Sequence, residues 1–225
     1  MPTAADAPAL RLAVLISGRG SNMLSLAREC AAGRVTAAIS VVISDEADAP
    51  GLVRAAELGL PTRLVDADDY RSAQRFDKPA FEEALRSAID ASGAGLVVLA
   101  GFMRVLSPQF VAHYAGRILN IHPSLLPRHK GLHTHERALA AGDAEHGVSV
   151  HYVTADLDGG PVIVQARVPV LPGDTAATLS ARVQAQEHII YPLAVQWIAS
   201  GRLVYGEGSP VLDGVALTAP RQEST

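Results

Sequence analysis

An amide and an imidazole stand two residues apart in the segment Leu119 to Ser124, which reads Leu-Asn-Ile-His-Pro-Ser. Asn120 and His122 end an apolar run that is typical of a strand. Side chains two residues apart on a strand project from the same face, so the pair can reach one ligand. An amide can donate a hydrogen bond to an oxyanion, and a histidine changes charge near neutral pH. The spacing is suited to acyl transfer, and the alternative is a structural histidine beside a strand-ending asparagine.

A second candidate is the turn Asp156-Leu157-Asp158-Gly159-Gly160-Pro161. A Gly-Gly-Pro turn can fix the direction of the carboxylate that precedes it, here Asp158. A carboxylate in contact with a histidine favours the charged form of the imidazole. Spacing in the sequence leaves open whether Asp158 reaches His122, and an ordinary surface turn is the alternative.

A glycine turn, Gly18-Arg19-Gly20-Ser21-Asn22, lies between an apolar run and a helical pattern. A parallel strand that delivers backbone N–H groups to a helix N-terminus makes a phosphate site, and the alternative is a tight turn with an ordinary N-cap. The dinucleotide fingerprint needs a third glycine where Met23 stands. The turn therefore favours a single phosphate over a pyrophosphate. Later in the chain, Gln184 and Glu187 are neighbours on one helix turn and could hold a polar, cationic group, although solvated helix surface is the default interpretation.

The eight histidines lie between His113 and His188, but their spacing does not predict a metal site. There is no H-E-x-x-H motif, and His133 and His135 would diverge on a helix. We interpret His151 as a strand residue. Four other histidines are predicted to be loop and surface residues: His129, His133, His135 and His146. The serine nucleophile motif G-x-S-x-G is also absent.

Composition describes an ordinary globular chain. Of 225 residues, 48% are hydrophobic and 19% charged, and the net charge of −4 gives no basic excess for binding nucleic acid or an anionic membrane. No apolar stretch is long enough to span a bilayer. The single cysteine, Cys30, suits a reducing compartment. We expect a cytoplasmic protein that acts on small molecules, with no nucleic-acid or membrane partner.

Strand and helix patterns alternate through the first half of the chain, which predicts an α/β fold with a Rossmann-like open sheet. That half is expected to be mostly parallel, and the C-terminal half adds antiparallel strands around Asp158-Gly159-Gly160-Pro161. Pro192 is expected to kink or restart a helix over 175–198. We predict one domain over 1–225, with a core of about 11–203 and flexible ends at 1–10 and 219–225. The predicted strands are 12–17, 38–44, 62–65, 96–100, 118–121, 149–153 and 162–170. The predicted helices are one that includes 23–27 and those at 49–58, 79–91, 108–114 and 175–198.

Taken in order, these segments resemble the phosphoribosylglycinamide formyltransferase family, the folate-dependent formyltransferases of purine biosynthesis. The matching segments are ISGRGSNM, VVISDEADAPGLVRAAELGLPT, LAGFMRVLSPQFV, LNIHPSLLPRHKGLHTHERALAAGDAEHG, SVHYVTADLDGGPV and RVQAQEHIIYP. They cover about 12–203. The Asn-x-His-Pro-Ser motif with the later Leu-Asp-Gly-Gly-Pro is shared by formyl-folate hydrolases and transferases, whereas the glycine loop together with 131–147 is more specific.

The resemblance implies the formyltransferase fold and assigns roles to residues. Asn120, His122 and Asp158 would be catalytic, and 10-formyltetrahydrofolate would be the formyl donor, with no metal. The ribonucleotide substrate would be bound by Gly20, Ser21, Asn22, Gln184, Ala185, Gln186 and Glu187. The folate would be bound by Lys78, which stands where the family has an arginine, and by Met103, Arg104, Val105, Leu106, Asn120, Thr154, Ala155, Asp156, Leu157 and Asp158.

Other functions use the same residues differently. A formyltetrahydrofolate deformylase would use water as acceptor and carries an added N-terminal domain, and a methionyl-tRNA formyltransferase carries a basic C-terminal domain; we expect neither extension. A nicotinamide-dependent oxidoreductase could use the glycine turn with Asp45 on the ribose, but the third glycine is missing. A non-catalytic nucleotide-binding protein is the remaining alternative. The sequence leaves open a monomer or a homodimer.

Overall fold

The computed structural model describes residues 9–73 and 75–223, and strands and helices alternate through its first half. Most elements fall within one or two residues of the predicted ones, because apolar periodicity and turn residues mark them clearly. The elements of this half are β1 (Leu10–Ile16), α1 (Ser21–Ala31), β2 (Ala37–Ser44), α2 (Pro50–Glu57), β3 (Thr62–Leu64), β4 (Arg71–Ser72), β5 (Arg75–Phe76), α3 (Lys78–Ala91), β6 (Leu96–Leu99), α4 (Pro108–His113) and β7 (Ile118–His122).

The second half contains two long antiparallel strands, one long helix and short C-terminal strands. Its elements are α5 (Thr134–Ala140), β8 (Glu145–Tyr152), β9 (Val162–Pro169), α6 (Ala176–Ala199), β10 (Leu203–Gly206), β11 (Ser209–Leu212), β12 (Val215–Ala216) and β13 (Arg221–Glu223). The helix α5 has no counterpart among the predicted elements. At seven residues it is too short to show a clear 3.6-residue period.

Eight strands form one sheet in the order β13-β9-β8-β7-β6-β1-β2-β3. The pairs among β1, β2, β3, β6 and β7 are parallel, and β8 is antiparallel to both β7 and β9. This confirms the predicted fold class. The chain proceeds outward from β1 to β3 and then returns to the other side of β1 with β6. Open α/β sheets bind ligands beyond the carboxyl ends of the strands at such a switch point.

Helices cover both faces of this sheet, so its central strands are buried on both sides. Along β1, Leu12, Val14 and Ile16 face a core that includes α1 and α6, while Ala13 and Leu15 face a core that includes α3. This alternation follows from the two-residue period of a strand. The sheet is therefore a buried support for the loops at its carboxyl edge.

Among the helices of the described residues, none combines the length and the apolar character that a membrane span requires.

Pro192 does not restart its helix, one of the two predicted outcomes, since α6 runs without a break from Ala176 to Ala199. A proline inside a helix removes the N–H that would bond the carbonyl four residues earlier, here that of His188. The Ser25 hydroxyl of α1 donates to this carbonyl at 3.0 Å. The neighbouring helix therefore supplies the donor that Pro192 removes, which the sequence pattern of α6 cannot show.

The predicted flexible tail is also wrong in part. Arg221–Glu223 form β13 and pair in parallel with β9, from Val164 to Ala166. An unpaired sheet edge offers backbone donors and acceptors that a polar segment can satisfy without an apolar pattern. At the other end, β1 begins at Leu10, while 1–8 lie outside the described residues, as do Ser224 and Thr225.

Candidate active site

The end of β7 carries the predicted amide and imidazole on one face of the sheet. Asn120 pairs in register with His151 of β8, and His122 pairs with Ser149. His122 is 6% exposed and its Nε2 atom lies 3.0 Å from the backbone oxygen of His129. Because a carbonyl oxygen can only accept, the His122 Nε2 atom carries a proton and donates.

The Asp158 turn folds back over this face and brings its carboxylate to His122. Oδ2 of Asp158 lies 3.4 Å from His122 Nδ1 and accepts the Gly131 backbone N–H at 2.8 Å. Asp158 itself has a positive φ of 47°, and a Cβ atom at Gly160 would lie 1.8 Å from the Tyr152 carbonyl oxygen. The tight turn needs glycine at 160 for this reason. The structure thus brings Asp158 to His122, a contact that the spacing in the sequence left open.

His151, which the sequence pattern places on a strand without a role, is also a site residue. Its Nδ1 atom donates to the Tyr152 carbonyl at 2.9 Å, so its Nε2 atom is free to accept from the Asn120 amide nitrogen at 3.2 Å. Burial lowers the pKa of His151, which favours this neutral form. His151 thereby fixes the orientation of the Asn120 amide. Its alternation with Val150 and Tyr152 on a predicted strand was the available signal.

The histidines near this site are less exposed than predicted. His146 lies on β8 and is 1% exposed, because β8 begins four residues earlier than expected and buries the side chain. Its Nε2 atom lies 3.1 Å from His135 Nδ1, and burial lowers the pKa of His146 to about 4. His129 is half-buried and its Nε2 atom lies 2.7 Å from the Asp143 carboxylate. Of the four histidines predicted to lie in loops or at the surface, only His133 is exposed.

The glycine loop meets α6 through two hydrogen bonds. Gly20 is the N-cap of α1 with a φ of 68°, a left-handed conformation that glycine adopts without strain. The Gln184 amide donates to the Ser21 hydroxyl at 3.2 Å, and the Asn22 amide donates to Glu187 at 2.7 Å. The structure thus joins the two segments that were assigned to one substrate. Ala185, one position beyond Gln184, is exposed, and Gln186 is half-buried.

Glu187 is half-buried and accepts a hydrogen bond from Asn22. Burial raises the pKa of its carboxyl group, and the Asn22 amide partly offsets this effect. The Oδ1 atom of Asn22 is buried without a hydrogen-bond partner in the described structure. Such an atom beside a helix N-terminus and a carboxylate is available to a ligand that brings its own donors.

The segment Met103–Leu106 follows β6 at the carboxyl edge of the sheet. Met103 and Val105 are 70% and 61% exposed, and Leu157 on the Asp158 turn is 56% exposed. Ser107, the next residue, donates from both its N–H and its hydroxyl to Glu82 of α3. The Lys78 ammonium lies 3.8 Å from the same carboxylate. Lys78 is therefore near this segment, as its assignment requires, and exposed apolar side chains on two loops suit a flat, apolar ligand.

Four further residues of the predicted folate pocket belong to the Asp158 turn and to its approach. Thr154 is half-buried, whereas Ala155 and Asp156 are exposed like Leu157. Among residues 9–73 and 75–223, no group of three or more histidine, cysteine, aspartate or glutamate side chains is arranged to hold a metal ion. The groups that lie together at the end of β7 are the Asn120 amide, the His122 and His151 imidazoles and the Asp158 carboxylate.

Comparison with known proteins identifies the family. The model of the formyl transferase family matches residues 10–195. The chain belongs to the formyl transferase family. The phosphoribosylglycinamide formyltransferase of Escherichia coli (strain K12) is 50% identical over 92% of this chain and 96% of its own. The trifunctional purine biosynthetic protein adenosine-3 of Homo sapiens is 44% identical over 89% of this chain and 19% of its own.

A solved structure supports the same relationship. The phosphoribosylglycinamide formyltransferase of Coxiella burnetii is 49% identical and superposes with a TM-score of 0.88, over 96% of this chain and 99% of that one. The resemblance inferred from the glycine loop, the Asn-x-His pair and the Asp158 turn is therefore confirmed. As a member of the formyl transferase family, the protein is an enzyme, which removes the oxidoreductase and the non-catalytic alternatives.

Proposed function

We propose that the protein transfers the formyl group of 10-formyltetrahydrofolate to the amine of 5-phosphoribosylglycinamide. The products are formylglycinamide ribonucleotide and tetrahydrofolate, in de novo purine biosynthesis. The observation that carries this proposal is the contact of His122 with Asp158 beside Asn120, on a chain that is 50% identical to a phosphoribosylglycinamide formyltransferase. An amide, an imidazole and a carboxylate on one face are the groups that formyl transfer needs.

The glycine loop and α6 would bind the ribonucleotide. The backbone N–H groups that begin α1 are directed toward the carboxyl edge of the sheet, and the Gly20 to Asn22 turn adds a hydroxyl and an amide. A helix N-terminus favours a phosphate through its unpaired N–H groups and the helix dipole. Glu187 lies on the α6 side of this loop and would accept hydrogen bonds from the substrate amine.

His122 would stabilise the oxyanion as an imidazolium. Its Nε2 atom donates to a carbonyl and its Nδ1 atom faces the Asp158 carboxylate. Both ring nitrogens thus face oxygen acceptors, and an imidazolium would offer one N–H to each. Asn120 uses one of its two amide hydrogens on His151, and the second is available to the formyl oxygen. Charge and a directed donor thus act on the same atom.

The reaction would proceed through a tetrahedral intermediate. The glycinamide nitrogen attacks the formyl carbon, the C=O electron pair moves to oxygen, and Asn120 and His122 stabilise the resulting oxyanion. The bond between the formyl carbon and N10 of the folate then breaks. The attacking nitrogen loses a proton, which passes through water to the departing N10. Asp158 maintains the imidazolium through both steps by charge pairing.

The experiment that tests the proposal measures turnover of a 10-formyl folate by absorbance, with and without glycinamide ribonucleotide. We expect release of deformylated folate only when the ribonucleotide is present. Equal release without ribonucleotide would indicate a hydrolase, and no release under either condition would contradict formyl-folate chemistry in this site.

Three further predictions accompany this function. We propose that the enzyme works in the cytoplasm, where Cys30 stays a thiol. Its partners are small molecules, and it binds no nucleic acid. Burial raises the pKa of Cys30 to about 11, so the protonated thiol is favoured. The oligomeric state is a monomer or a homodimer, which light scattering during gel filtration distinguishes.

A further inference from the structure

The Asp45 carboxylate lies at the end of β2 and is almost completely buried, with 1% of the residue exposed. Two groups donate to it. The Ser17 hydroxyl, just beyond β1, bonds Oδ1 at 2.5 Å, and the Arg104 Nε atom bonds Oδ2. A buried carboxylate is costly unless charge and hydrogen bonds compensate it. Both compensating groups connect Asp45 to the loop that follows β6.

Ser17 transmits this interaction to the backbone of the loop. The Met103 N–H donates to the Ser17 oxygen at 2.8 Å. Because the Ser17 proton is engaged by Asp45, its lone pairs are left to accept from Met103. The loop is also held by a bond from the Ser17 N–H to the Gly101 carbonyl at 3.0 Å. Asp45 therefore sets the direction of the hydroxyl that fixes Met103.

The Arg104 guanidinium contacts two acidic and two aromatic side chains. Its Nη2 atom bonds Glu46 at 3.0 Å, and its Cζ atom lies 5.3 Å and 5.6 Å from the ring centres of Phe76 and Phe81. The side chain is only 20% exposed. Two carboxylates and two rings contact the guanidinium, so its charge is paired within the protein.

We propose that Ser17 and Asp45 are positioning residues that hold the segment Met103–Leu106 in the conformation that binds the formyl donor. The proposal rests on the proposed function, because it takes this segment to be part of the donor site. The other end of the segment is already fixed by the two hydrogen bonds from Ser107 to Glu82. Loss of the contacts that Ser17 and Asp45 make with Met103 and Arg104 should weaken binding of the formyl donor. It should not affect the glycine loop at Gly20 to Asn22 or the contact between His122 and Asp158.

The first arm of the test compares steady-state constants of Ser17→Ala, Asp45→Asn, the double variant and Asp174→Asn. Asp45→Asn keeps an acceptor for Ser17 and removes the charge that holds Arg104, while Ser17→Ala removes the acceptor of Met103. We expect the KM for 10-formyltetrahydrofolate to rise about tenfold in each, with kcat and the ribonucleotide KM within about twofold. The double variant should resemble the worse single variant, since both changes break one connection.

Asp174→Asn is the matched control. Its side chain is 5% exposed and bonds Arg182 at 2.7 Å, outside the segments assigned to either substrate. It should lower thermal stability and leave both KM values unchanged. Donor KM values within twofold of wild type for Ser17→Ala and Asp45→Asn would overturn the proposal, as would a parallel rise in both KM values.

The second arm measures hydrogen exchange of the peptide over 102–107 and needs no turnover. Exchange should be faster by about tenfold in Ser17→Ala and Asp45→Asn, and unchanged in Asp174→Asn. Unchanged exchange in the first two variants would overturn the positioning role even in an active enzyme. Absence of formyl transfer by the wild-type protein would instead overturn the proposed function, so the two failures are distinguishable.

Discussion

The His122 Nδ1 atom lies 3.4 Å from the Asp158 Oδ2 atom, although a loop, a helix and a strand separate these residues along the chain. The second nitrogen of the same ring donates to the His129 carbonyl at 3.0 Å. Both ring nitrogens therefore face oxygen acceptors, and the charged ring satisfies both. This arrangement fixes the orientation of the His122 imidazole at the end of β7.

Replacing either member of this pair should reduce catalysis rather than binding. We expect His122→Ala and Asp158→Asn to lower kcat by about two to four orders of magnitude, because the first removes the charge and the second removes its carboxylate partner. Both KM values should stay within a few-fold. Steady-state kinetics with both substrates measures this, and His133→Ala, a change at an exposed histidine, is the control. Activity within a few-fold of wild type in both variants would contradict the assignment.

A negative charge at position 21 should weaken ribonucleotide binding without lowering the stability of the protein. An aspartate at the first position of α1 is favourable to the helix dipole, so Ser21→Asp should keep the melting temperature at or above that of wild type. The same charge repels a phosphate at the helix N-terminus, so the ribonucleotide KM should rise by more than about tenfold. The donor KM should not change. Calorimetry and steady-state kinetics test this, and an unchanged ribonucleotide KM would place the phosphate elsewhere.

The Ser25 hydroxyl should stabilise the folded protein only because Pro192 is present. Ser25→Ala leaves the His188 carbonyl without its donor and should cost about 1–2 kcal/mol of unfolding free energy. In a Pro192→Ala background the helix regains an N–H for this carbonyl, and Ser25→Ala should cost less. Urea denaturation of the four proteins gives the coupling. Equal costs of Ser25→Ala in both backgrounds would show that the two residues act independently.

His146 should make the protein less stable in mild acid. Its pKa in the folded protein is lowered to about 4 by burial, while the unfolded chain titrates near 6.5. As the pH falls below 6.5, the unfolded state binds a proton that the folded state does not, so stability is lost progressively toward pH 4. We expect a loss of about 1–3 kcal/mol across this interval. His146→Gln should flatten the dependence in denaturation curves between pH 7 and pH 4; an unchanged slope would contradict the prediction.

Much of the fold was predictable because its signals are local. The run before Gly18 and the pattern after Asn22 identify a strand, a turn and a helix, and the repetition of this unit identifies a parallel sheet. The same holds for the site residues that belong to short motifs. Asn120 and His122 share a face by strand geometry alone, and the Gly-Gly-Pro turn marks Asp158.

The contacts between distant segments were decided by the tertiary structure. Whether Asp158 reaches His122, which donor replaces the N–H lost at Pro192, and where the tail pairs all depend on how loops return across the sheet. The burial of His146 was not predicted and the role of His151 was missed, because both depend on neighbours in other elements. Asp45 had been considered only as a ligand of a ribose hydroxyl, and its hydrogen bond with Ser17 was not predicted. The sequence by itself determined the order of elements and the family, since periodicity and motifs are properties of neighbouring residues. Only the folded chain determined which polar groups meet, because hydrogen bonds between segments depend on distances that sequence separation does not encode.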